Sequence, residues 1–76
     1  MAIENLLEEL VIGTGDKKEF HDELQYYVML HRYSHHNPHD IKGVLLIAEQ
    51  DLMNRYKINE RTLVQNYFKF LDYKGD

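Results

Sequence analysis

A chain of 76 residues without Cys and with a formal net charge of −4 is short enough for one domain, and it can build neither a disulfide framework nor a thiolate metal site. Its longest apolar run, Val44 to Ala48, falls far short of the roughly 20 residues that cross a bilayer. The opening Met1-Ala2-Ile3-Glu4 lacks the basic and then apolar order of a secretory signal, so the composition predicts a cytoplasmic protein that does not enter a membrane.

The charge is uneven. Residues 1–30 hold seven carboxylates against two lysines, whereas the remainder is close to neutral. An acidic front half repels phosphate and attracts basic surfaces.

Ile3, Leu6, Leu7, Leu10 and Val11 recur at helical spacing, with Glu4, Asn5, Glu8 and Glu9 on the opposite face. This predicts a first helix, ended by Gly13-Thr14-Gly15. Asp16 then suits an N-cap, with Glu19 placed to complete a capping box. The second helix is expected over about 17–34, burying Phe20, Leu24, Tyr27, Val28 and His31 and presenting Glu19, Asp22 and Glu23. Pro38 ends it, because the residue before a proline avoids helical geometry, and Asn37-Pro38 suits the start of a third helix over about 38–56. Val44-Leu45-Leu46-Ile47-Ala48 makes that helix apolar on every side, which predicts a place at the centre of a bundle. A buried strand at 44–48 competes, but no second strand exists to pair with it. Asn59 caps a fourth helix from Glu60 to about Tyr73, which has one stripe of Leu63, Tyr67 and Phe70 and a second of Val64, Phe68 and Leu71. The expected fold is an all-α bundle of three to four helices, with residues 1–76 as a single helical domain.

Chemistry is sparsely signalled. His31, His35, His36 and His39 cluster near His21 and Asp40, and His31/His35 has the spacing of a helical ligand pair. Pro38 breaks the helix before His39 can join them, so a polar interhelical loop is the expected role, with no metal and no cofactor. Ser34 lacks a strained elbow and Gly13-Thr14-Gly15 lacks a P-loop lysine, so no catalytic residues and no enzymatic activity are expected.

The segment from Ala48 to Leu71 resembles the helix-turn-helix of small bacterial repressors, with Leu52, Tyr56, Ile58 and Leu63 where that motif places its core. Lys57 stands at the turn position usually held by Gly, and Asn66 stands where an apolar residue is usual. The resemblance implies that Arg61, Thr62, Gln65, Asn66 and Lys69 point outward and read DNA. Gln65 to Leu71 also has the outline of peptides that dock on bacterial sliding clamps. In overall style, a small acidic Tyr-rich chain without Cys is similar to phage-encoded regulators that block host replication or transcription.

Of these readings, the acidic balance favours a non-enzymatic regulator or inhibitor that binds another protein over a DNA-binding regulator, because DNA affinity comes mainly from phosphate neutralisation. The expected contact residues are Glu4, Glu8, Glu9, Glu19, Asp22 and Glu23, together with Val64, Phe68 and Leu71. The expected partner is a basic or DNA-binding surface of host machinery. The second stripe of the last helix also predicts a homodimer, since one apolar stripe can complement itself across a two-fold axis.

Overall fold

The computed structural model describes residues 3–74, apart from the side chains of Ile3, Glu4, Pro38, Asp40 and Lys74. Four helices, α1 (Ile3–Glu9), α2 (Lys17–His36), α3 (Pro38–Tyr56) and α4 (Glu60–Lys74), are the regular elements, and no strand occurs among the described residues. The all-α expectation holds, and the buried strand at 44–48 is replaced by the middle of α3.

The helix starts follow local chemistry. Asp16 adopts an extended backbone and its Oδ1 accepts from Lys18 N at 2.7 Å, which satisfies one of the unpaired N–H groups of the first turn of α2. Asn59 does the same for α4, accepting from Thr62 N at 2.8 Å. Asn37 departs from expectation: its side chain makes no cap bond, and the start of α3 relies on Pro38, whose fixed φ suits the first helical position. Between α3 and α4, Lys57 takes the left-handed conformation at φ 53° and ψ 50°. This is a strained choice for a residue with a side chain, made where the chain must turn sharply.

Helices α2 and α3 form an antiparallel hairpin with the most extensive packing in the molecule, and α4 lies against both while α1 closes over α4 and the start of α2. Leu6, Leu10, Phe20, Leu24, Tyr27, Val28, Leu52, Tyr56, Leu63 and Phe70 form one buried cluster. Phe20 meets Tyr56 edge-on with ring centroids 4.9 Å apart, a favoured aromatic geometry. The stretch after α1 is pinned to the end of α3, where Gly13 N and Thr14 N donate to Tyr56 O at 2.8 and 3.1 Å. Gly13 is required there, because a Cβ would lie 2.4 Å from Lys57 O.

Helix α3 is not the centre of the bundle. Val44, Leu46 and Ile47 are exposed, Ile47 to 71%, while Ile41, Leu52 and Tyr56 are buried. With only three other helices, one of them seven residues long, too few surfaces exist to surround it. His21 and Asn66 are buried polar residues. Among the described residues no buried side-chain nitrogen or oxygen lacks a hydrogen-bond partner, as a folded interior requires.

Candidate protein-binding cleft

The α2–α3 hairpin carries carboxylates and aromatic rings on both flanks. On one flank, Glu23 of α2 faces Asp51 and Arg55 of α3. Arg55 bonds the Glu23 carboxylate and also Asp51 at 3.1 Å, and its guanidinium lies over the Tyr56 ring, 5.4 Å from the centroid. Tyr56 Oη donates to Glu23 Oε2 at 2.5 Å. Burial, and then this bond to a carboxylate, push the Tyr56 phenol up to about 12, because both oppose a phenolate.

The other flank is open. Tyr27, about one turn along α2 from Glu23, donates its hydroxyl to Glu49 Oε2 at 2.7 Å. That spends its only O–H, so its oxygen is left to accept from His31 Nε2, 3.0 Å away. Burial, and then the bond to Glu49, hold the Tyr27 phenol well above its ordinary range. Helix α4 supplies the far wall with Tyr67, whose ring centroid is 5.9 Å from that of Tyr27 and 5.1 Å from that of His31. Phe68 stands edge-on to Tyr67 at 5.7 Å. These side chains, with Met53, Leu63, Val64 and Glu60, line a cleft of about 240 Å³. Its wall is mostly apolar, it contains two carboxylates, and no Lys or Arg among the described residues lines it.

The residues expected at functional sites fall into distinct groups. Val64 and Phe68 are exposed, to 44% and 59%, at the rim of this cleft, whereas Leu71 packs against the core and leaves their stripe. Glu8, Glu9, Glu19 and Asp22 are exposed on α1 and α2, with Asp22 3.2 Å from His21 Nδ1, while Glu23 is already engaged by Arg55 and Tyr56. The side chain of Glu4 lies outside the described residues.

Of the residues expected to face DNA, Arg61 and Gln65 are exposed and Thr62 is half-buried. Asn66 corrects the expectation. It is fully buried, its Oδ1 accepting from Val11 N at 2.9 Å and its Nδ2 donating to Val11 O at 2.7 Å. It occupies an inward position of α4 and serves the backbone that follows α1, so it cannot reach a base edge. Lys69 is half-buried and donates to Glu9 O at 2.8 Å, at the end of α1. The segment with the sliding-clamp outline, Gln65 to Leu71, lies inside α4 and is helical.

Sequence reasoning missed Glu49, Glu60 and the pairing of Tyr27 with Tyr67. The i, i+4 spacing of Tyr27 and His31 was the only local signal, because the other partners come together through the helix packing. Among the described residues no three His, Asp or Glu side chains gather as metal ligands, and no helix is long and apolar enough to cross a membrane. No protein-family model matches this sequence, and no curated protein or solved structure is significantly similar to it.

Proposed function

We propose that this protein acts without catalysis, as a small acidic regulator or inhibitor that binds another protein over the cleft between α2, α3 and α4. The observation that carries this reading is the exposure of Val64 and Phe68 beside a cleft whose only charged groups of fixed sign, among the described residues, are Glu49 and Glu60. Apolar side chains left in water beside a concave wall mark interaction surfaces, and the carboxylates favour a basic partner. The basic, nucleic-acid-binding proteins of replication and transcription have that chemistry, in keeping with the chain's likeness in style to phage-encoded inhibitors. The test is retention of host proteins on the immobilised full chain and on its Phe68→Asp variant. A partner held by the first and lost by the second, with helix content unchanged by circular dichroism, is the expected result. Equal retention by both removes the docking surface from this face.

A second reading, the α3–α4 pair as a DNA-binding helix-turn-helix, is supported by the left-handed turn at Lys57 and by the burial of the residue at the apolar position, Asn66. It is weakened by the engagement of Asn66 and Lys69 within the fold, which leaves Arg61 and Gln65 to contact DNA. Gel shifts at low salt with the Arg61→Ala variant test it: loss of a shift in the variant supports it, and no shift by the parent removes it.

A further inference from the structure

We infer that the cleft is a receptor for an arginine side chain presented by the protein partner. This inference rests on the protein-binding reading of the same surface and names the group that is recognised.

The molecule contains its own precedent. On the Glu23 flank of the hairpin, the Arg55 guanidinium is held by the carboxylates of Glu23 and Asp51 and lies over the Tyr56 ring. The open flank repeats the ingredients: the carboxylates of Glu49 and Glu60 beside the rings of Tyr27, Tyr67 and Phe68. Among the described residues, no Lys or Arg lines this cleft to neutralise them. Glu60 makes no hydrogen bond or ion pair among the described residues, and Glu49 spends one oxygen on Tyr27 and keeps the other for an incoming donor. The Tyr27 bond also fixes the Glu49 carboxylate, so little side-chain freedom is left to lose when a ligand arrives.

Guanidinium suits this setting for three reasons. It is planar and weakly hydrated, so it enters a mostly apolar cleft at lower cost than an ammonium. Its face stacks on aromatic rings, and its edge meets carboxylates with paired N–H donors. Size agrees as well: about 240 Å³ is below the roughly 300–1,000 Å³ usual for small-molecule and cofactor pockets. A single long side chain, anchored by the rest of its own protein, is the better match.

The test is a nuclear magnetic resonance titration of the ¹⁵N-labelled full chain with the capped tripeptide Gly-Arg-Gly. The same tripeptide with citrulline, which keeps the shape and lacks the charge, is the comparison. The expected result is a saturable shift of the Glu49, Glu60, Tyr67 and Phe68 amides with the arginine peptide and none with the citrulline peptide. Glu60→Gln, at an exposed position, should retain the parent spectrum and weaken binding about two- to fivefold, as loss of one partly exposed charge contact does. An equal response to citrulline, shifts elsewhere or none, or unchanged binding by Glu60→Gln overturns the arginine site. Any of those results leaves the broader reading standing, since retention of a partner and its loss with Phe68→Asp do not depend on which side chain the partner offers.

Discussion

Asn66 shows how much one polar side chain can hold. Its amide answers both the N–H and the C=O of Val11, so a single residue of α4 satisfies the backbone that leaves α1. Asn66→Leu fits the apolar surroundings but leaves both groups of Val11 without their partner. Each such loss costs about 1–3 kcal/mol, so the expected destabilisation is at least about 2 kcal/mol in urea unfolding, despite the gain in hydrophobicity. A neutral or stabilising Leu would mean that water takes over both bonds. Tyr56 gives a second measurement at this scale. Its folded-state pKa of about 12 lies above the ordinary 10.0, so folding favours the protonated phenol. The contribution is full below pH 10 and disappears as the pH rises towards 12. Alkaline unfolding should therefore begin between those values, with part of the tyrosine absorbance titrating late. Tyr56→Phe should remove the Tyr56 component of that late titration.

At the scale of the helices, the boundaries were legible and the packing was not. Asp16, Pro38 and Asn59 mark the starts of α2, α3 and α4 because capping and proline geometry act over three or four residues. The role of α3 was misjudged because periodicity reports which side chains are apolar and not which neighbours exist to cover them. Asn66 was misjudged for the converse reason: its inward position was visible in the α4 pattern, yet its type suggested an outward role. The cleft joins Tyr27 to Glu49 and to Tyr67, pairings that only the assembled hairpin and α4 create. The surface of α3 can be tested directly. Ile47→Lys, at a position 71% exposed, should change stability by no more than about 0.5 kcal/mol, whereas Leu52→Ala, at 3% exposure, should cost about 2–5 kcal/mol. Equal costs would return α3 to the interior.

For the whole molecule, the expected two-fold pairing through Val64, Phe68 and Leu71 loses a third of its residues, because Leu71 turns to the core. Val64 and Phe68 rim the cleft, and the surface that we assign to a foreign partner cannot also be hidden in a dimer. Multi-angle light scattering of the free chain should give a monomer mass at high micromolar concentration; a dimer that Phe68→Asp splits would reassign the cleft to self-pairing. The attachment of α1 has a consequence for the order of assembly. The α2–α3 hairpin forms from neighbours in the chain, whereas the bonds from Asn66 to Val11 and from Lys69 to Glu9 span 55 and 60 residues. Contacts of such long separation carry a larger loop-closure cost and form late. The seven residues of α1 are also too few to stay helical alone. The first helix should then behave as a latch that closes last and opens first. In native-state hydrogen exchange, the amides of Leu10, Val11, Gly13 and Thr14 should open together, at a lower free energy than those of Leu24 and Leu52, while the remaining three helices stay folded.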